Sequence, residues 1–161
     1  MFRYVIFALV GVLSAVTTAK AVVTLDEQRR APPRFERPIA ATARIARADD
    51  GHYWATGEVD GEAVRFLVDT GATAVSLTPA DARRFGIDTR GLTYDYEVIT
   101  AQGRARAAAV RLATLSVDGA TMNDVDALVI EKGLETSLLG MSYLGRLSRF
   151  EATPTALVLR P

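Results

Sequence analysis

Residues 66–73 read Phe66-Leu67-Val68-Asp69-Thr70-Gly71-Ala72-Thr73. An apolar run leads straight into a carboxylate, and a glycine follows two residues later. The pattern is that of a buried strand that delivers Asp69 into a tight turn, with Gly71 where a side chain would obstruct the bend. A carboxylate held at the end of a rigid element suits acid–base chemistry or the activation of water. Asp, Thr and Gly are also ordinary turn formers. The rest of the chain has to decide between these readings.

Composition removes most of the alternatives. The chain has 161 residues, enough for one domain with additions, and 49% of them are hydrophobic, enough for a packed core. The 19 Lys and Arg residues balance 19 Asp and Glu residues, so no broad basic face for nucleic acid is indicated. Cysteine is absent, which excludes disulfides, thiol nucleophiles and thiolate metal sites. His52 is the only histidine. A His-based metal cluster is therefore excluded, and a Ser-His-Asp triad would have to use His52. No Gly-rich phosphate loop is present. Hydrolytic chemistry in this chain has to rest on carboxylates, with no metal and no cofactor expected.

Residues 1–21 have the features of an export signal or a short membrane anchor. Arg3 and the terminal amine supply the positive start, Tyr4 to Val16 is mostly apolar, and Ala19-Lys20-Ala21 fits a small-x-small cleavage site. The apolar run is short against the ~20 residues of a spanning helix, but extending it over residues 4–19 leaves membrane anchoring open beside cleavage. Residues 22–49 read as a linker, with Pro32, Pro33 and Pro38 among Arg29, Arg30, Arg34 and Arg37.

The folded domain is expected over residues 50–161. Tyr53 to Val59 and Ala63 to Val68 form a hairpin about the Asp60-Gly61 turn. After the Asp69 loop come a short strand at Val75 to Leu77 and a short helix, capped by Thr78, begun at Pro79 and stopped at Gly86. The second half repeats this order. Strands over Ala107 to Val117 and Thr121 to Ile130 flank Asp118-Gly119. The loop Glu131-Lys132-Gly133, the short strand Ser137-Leu138-Leu139 and a helix over Met141 to Leu147 follow. Such a repeat suggests an internal pseudo-twofold built mainly from sheet. Between the halves, Tyr94 to Thr100 and the residues after Arg104 form a hairpin with a small polar tip at Ala101-Gln102-Gly103. Arg149 to Ala152 and Thr155 to Leu159 close the chain. The predicted class is all-β, with one or two short helices. Asp81, Asp88, Asp95, Asp118, Asp124 and Asp126 fall in turns, strands or a helix start and are read as structural. His52 is expected at the surface and Trp54 in the core.

Phe66 to Ala72, followed by Leu138-Leu139-Gly140 and a short helix with a hairpin between them, resembles the retropepsin-like (retroviral-type) aspartic proteases. The resemblance is nearest to exported bacterial members with a single such domain, and it covers about Gly51 to Leu159. It implies an acid-protease barrel of one lobe that dimerises, located in a bacterial periplasm, soluble or anchored to the inner membrane. It also assigns roles. Asp69 is the catalytic aspartate, Thr70 ties its loop to the matching loop of a second copy, and Gly71 and Ala72 shape the loop. Leu138, Leu139 and Gly140 pack behind it. Thr100, Ala101, Gln102 and Gly103 form the tip of a flap over the substrate.

The implied activity is that of an aspartic endopeptidase. One such loop per chain supplies one carboxylate, so the resemblance implies a homodimer with the site on its twofold axis and an extended polypeptide as substrate. Ala72 offers no hydroxyl to the carboxylate, so activity is expected to reach mildly acidic or neutral pH. Val75 and Leu77 suggest a preference for apolar side chains at the cut. Two alternatives remain at this level: a catalytically silent domain of the same fold that binds peptides or dimerises, and an exported sheet protein whose Asp-Thr-Gly is only a turn.

Overall fold

The computed structural model describes residues 42–161. The segment expected to be a signal or anchor, and the linker up to residue 41, lie outside the described residues. Strands β1 (Ala43–Ala46), β2 (Trp54–Val59), β3 (Glu62–Val68) and β4 (Val75–Leu77) come first, followed by helix α1 (Pro79–Arg84). Strands β5 (Tyr96–Thr100), β6 (Gly103–Val117), β7 (Ala120–Ile130) and β8 (Leu138–Leu139) then lead to helix α2 (Met141–Leu144). Strands β9 (Arg149–Ala152) and β10 (Ala156–Arg160) end the chain. The protein is mainly β with two short helices, as its sequence predicts.

Local chemistry explains these elements. β2 alternates buried and exposed positions over its length, the mark of a strand with one face on a core. Asp60 and Gly61 both take the left-handed conformation, at φ 50° and 88°, which gives a turn whose twist matches that of the strands it joins. Thr78 accepts a hydrogen bond from the Asp81 backbone N–H at 3.1 Å and so caps α1, with Pro79 at the first helical position.

The main sheet runs β2-β3-β8-β4-β7-β6-β5, and β2 also pairs with β6, so all of its strands except β5 close into a barrel. The two sequence halves exchange partners across it. β3 pairs in parallel with β8 from the second half, and β4 from the first half pairs in parallel with β7. This interlocking is the pseudo-twofold that the repeated element order predicts. Phe66, Leu77, Leu112, Leu115, Leu139, Tyr143 and Leu144 fill the interior and are fully buried.

A second sheet, β1-β10-β9, is built from the two ends of the described chain. β1 falls inside the stretch expected to be linker, so among the described residues the paired strands start at Ala43 rather than after Asp50. The physical signal was a two-residue alternation, because Ala43 and Ile45 are buried while Arg44 and Ala46 are exposed. The surrounding Pro and Arg composition obscured it. Trp54 also departs from expectation. It is only half-buried: its indole N–H donates to Asp50 at 2.8 Å, and Arg65 stacks 4.3 Å from its ring centre. The His52 backbone N–H and then this indole hold the Asp50 carboxyl below its ordinary range. His52 itself is exposed.

Two close fits carry the packing. Gly140, between β8 and α2, leaves no room for a side chain: a Cβ there would lie 2.1 Å from the Ala74 carbonyl oxygen and 2.8 Å from that of Ala72. Gly140→Ala is therefore expected to lower the free energy of unfolding by about 3 kcal/mol or more, measured by urea titration. Tyr143 is the other, its buried hydroxyl donating to the Ala120 carbonyl at 2.7 Å. Burial pushes its pKa up from 10.0 to about 12. Because the folded value lies above the unfolded one, this stabilisation is complete below pH ~10 and is lost as pH rises toward 12. Tyr143→Phe is expected to cost ~1 kcal/mol at neutral pH and to flatten the fall in urea midpoint between pH 10 and 12.

Candidate active site

Asp69 is the first residue beyond β3, and main-chain bonds from three directions fix it there. The Leu67 N–H donates to the Ser137 carbonyl at 3.0 Å and the Asp69 N–H to the Leu139 carbonyl at 3.1 Å, continuing the parallel pairing with β8. The Val68 N–H donates to the Tyr53 carbonyl at 3.0 Å. On the far side of the loop, the Met141 N–H donates to the Ala72 carbonyl at 2.9 Å. The Val75 N–H donates to the Ser142 hydroxyl at 2.9 Å, and that hydroxyl donates in turn to the Asp126 carbonyl at 2.6 Å. The loop from Asp69 to Ala74 thus wraps the chain at Gly140, with both of its ends held by α2 and β8.

Within the loop, the Gly71 N–H donates to one carboxylate oxygen of Asp69 at 2.8 Å. The other oxygen has no hydrogen bond among the described residues, and the side chain is half-buried. Thr70 and Gly71 are exposed and Ala72 is half-buried. The Thr70 hydroxyl makes no hydrogen bond among the described residues.

Asp69 lies in a cleft of about 620 Å³. Gly71, Ala72 and Leu138 share its floor, and Thr100, Ala101 and Gln102 overhang it from the tip of the β5–β6 hairpin. Gly103 closes that tip, its carbonyl accepting from the Thr100 hydroxyl at 2.9 Å. The structure thus brings the Asp69 loop, Leu138 and the hairpin tip to one cleft. Leu139 and Gly140 are buried behind the floor rather than exposed in it.

Val75 and Leu77, expected to bear on substrate preference, are fully buried and do not line the cleft. The face of β4 that carries them is packed into the core, and it is Ser76, on the other face, that lines the cleft. The apolar lining comes instead from Leu67, Val98, Leu128, Ile130 and Leu134. Sequence reasoning missed most of this wall. The signal available was the repeat itself, because the second-half loop after β7 occupies the place that the Asp69 loop takes after β3.

Sequence reasoning also missed the fastening behind the floor. Ser137 is fully buried; its hydroxyl donates to Asp81 at 2.5 Å and accepts from the Thr78 N–H at 3.1 Å. This fastens α1 to the residue that precedes β8. Asp81 also pairs with Arg84 at 2.9 Å, so its role is structural. Asp126 pairs with Arg111 at 3.0 Å on the outer surface. Among the described residues no group of three His, Asp or Glu side chains is placed to hold a metal ion, and no helix is long and apolar enough to cross a membrane.

Comparisons with known proteins agree with this geometry. The chain is 34% identical to a retropepsin-like aspartic protease from Rickettsia conorii of known crystal structure, with a TM-score of 0.68 over 74% of this chain and 98% of that one. It is 42% identical over 112 residues to an uncharacterised protein encoded in the cobV 5′ region of Sinorhizobium sp, covering 69% of this chain and 48% of that protein. It is 36% identical over 115 residues to an uncharacterised protein of Rickettsia prowazekii, covering 71% of this chain and 49% of that protein. The chain spans about half the length of these two curated relatives. Residues 55–146, from β2 to just beyond α2 and including the Asp69 loop, match the family described as "gag-polyprotein putative aspartyl protease", and the chain belongs to the retropepsin-like aspartic protease family.

Proposed function

We propose that this protein is an aspartic endopeptidase that works as a homodimer, with one Asp69 from each copy. The observation that carries the reading is the setting of Asp69. Its loop is pinned by main-chain bonds, one oxygen is held by the Gly71 N–H, and the other has no hydrogen bond among the described residues and stands beside an apolar-walled cleft. One chain supplies one such carboxylate. The exposed Thr70, with no bond for its hydroxyl among the described residues, is suited to meet the same loop of a second copy.

In the dimer the two carboxylates share one proton, because like charges ~3 Å apart do not both ionise. The ionised carboxylate takes a proton from a bound water as the water oxygen bonds to the scissile carbonyl carbon. The protonated carboxylate donates a hydrogen bond to the developing oxyanion. When the carbon–nitrogen bond breaks, the leaving nitrogen takes a proton from the dyad, so a carboxylic acid and an amine are released. Affinity for an extended polypeptide comes from main-chain hydrogen bonds along the floor and the hairpin tip, and selectivity from the apolar wall. The export-type pattern of residues 1–21 supports a site of action outside the cytoplasm, soluble or membrane-anchored.

Asp69→Asn is the direct test. Cleavage of a peptide library is expected to fall by ~10³-fold or more while the urea midpoint and the oligomeric state stay those of the wild type. Equal cleavage by both proteins refutes the assignment. A wild-type protein that binds peptides without cutting them supports a silent binding module instead. A second test uses Ala72→Ser, which places a hydroxyl beside the loop. Donation to the ionised carboxylate favours the charged form, so the kcat/KM profile is expected to shift toward lower pH. An unchanged profile would count against a role for position 72 in setting the pH range.

A further inference from the structure

The wall of the cleft is apolar, but its charged groups are all of one sign. Asp69, Glu97 and Glu135 line it, and among the described residues no Lys, Arg or His does. Two of these carboxylates are already engaged. That of Asp69 is held by the Gly71 N–H at the floor. Glu97, on β5, is bonded and ion-paired to Arg104 of the neighbouring strand β6. Glu135 is exposed and has neither an ion pair nor a hydrogen bond among the described residues.

Glu135 is nevertheless held between anchors. On one side, Leu134 packs against the buried cluster of Ala105, Ala107 and Ile130. On the other, Ser137 is fully buried, its carbonyl accepting from the Leu67 N–H and its hydroxyl tied to Asp81 and to the Thr78 N–H. Gly133 passes close to the hairpin tip: a Cβ on it would lie 3.5 Å from the Thr100 hydroxyl oxygen and 3.6 Å from the Gln102 Cβ. A carboxylate on a segment fastened at both ends loses little further freedom when it binds.

We propose that Glu135 selects a basic side chain, lysine or arginine, near the bond that is cut. The proposal rests on the protease reading above and names its selectivity. A lysine or arginine is an apolar stem that ends in a cation. The apolar wall takes the stem, with Leu134 immediately before Glu135, and the carboxylate takes the charged head. An acidic side chain in the same place meets like charge and is rejected. In the homodimer each half of the cleft holds one Glu135, so the preference falls on both sides of the cut.

The test uses the full chain and a set of peptides in which lysine, norleucine or glutamate is scanned along an apolar sequence. Norleucine keeps most of the lysine stem and removes its charge. For the wild type, kcat/KM at the responsive positions is expected to be higher with lysine than with glutamate. The lysine-to-norleucine ratio is expected to fall as salt is raised. Glu135→Gln is expected to lower that ratio by ~5-fold, Glu135→Asp to keep most of it, and Glu135→Lys to place glutamate above lysine. The same peptides, fluorescently labelled, are titrated against the wild type and against Asp69→Asn with and without Glu135→Gln, so that binding is read apart from cleavage.

Ratios equal in wild type and Glu135→Gln overturn the role of Glu135. A wild type with no charge preference overturns it even if no Glu135 variant folds. The two readings fail separately. Cleavage without charge preference removes the role of Glu135 and leaves the protease. A charge preference in binding that depends on Glu135, in a wild type that cuts nothing, keeps the basic pocket and removes the protease. A protein that neither binds nor cuts any of the peptides overturns both.

Discussion

The Ala74 carbonyl oxygen occupies the space where a side chain on residue 140 would begin. This close approach lets the chain at Leu138 to Gly140 slide between β3 and β4. There β8 bonds both strands, parallel to one and antiparallel to the other. The loop from Asp69 to Ala74 then curls around the glycine, and α2 starts from it. The buried Ser137, fastened to Asp81 and to the cap of α1, fixes the approach from the other end. The position of one carboxylate thus depends on the absence of a side chain at the one residue around which its loop is wrapped.

The setting of Asp69 is incomplete in an informative way. Everything behind the carboxylate is bonded, from the Asp69 N–H to the Ala72 carbonyl. In front of it one carboxylate oxygen and the Thr70 hydroxyl have no bonds among the described residues. Buried polar side chains elsewhere in the described chain all find partners. Such a contrast between a satisfied back and an open front fits the half-site proposed above, whose open groups would meet water, substrate or a second copy.

The parts legible in the sequence were those with a local physical cause. Asp60-Gly61 and Asp118-Gly119 announced their turns by needing left-handed backbone, and Thr78-Pro79 announced a helix start. Asp69-Thr70-Gly71 and Leu138-Leu139-Gly140 were readable as a pair through the resemblance of their order and spacing to the retropepsin-like proteases. What failed to show was set by tertiary context. β1 hid in a Pro- and Arg-rich composition, since only its pairing with β10 makes a strand of it. Val75 and Leu77 read as cleft residues because proximity to the loop in sequence says nothing about which face of a strand is covered. The true wall, with Leu128, Ile130 and Leu134, comes from the other half of the chain.

The exchange of partners between the halves bears on how the protein comes into being. Leu67 pairs with Leu138, and Val75 with Ala127, so the defining contacts join residues far apart in sequence. Folds dominated by such pairings close large loops before they are rewarded, and they form slowly. Neither half can finish its own sheet, so the barrel forms as one cooperative event rather than half by half. A chain still emerging from the ribosome holds Asp69 long before it holds the strand that aims it. The carboxylate therefore has no fixed place until the polypeptide is complete through Gly140. Synthesis order keeps this loop from settling before the second half of the barrel exists.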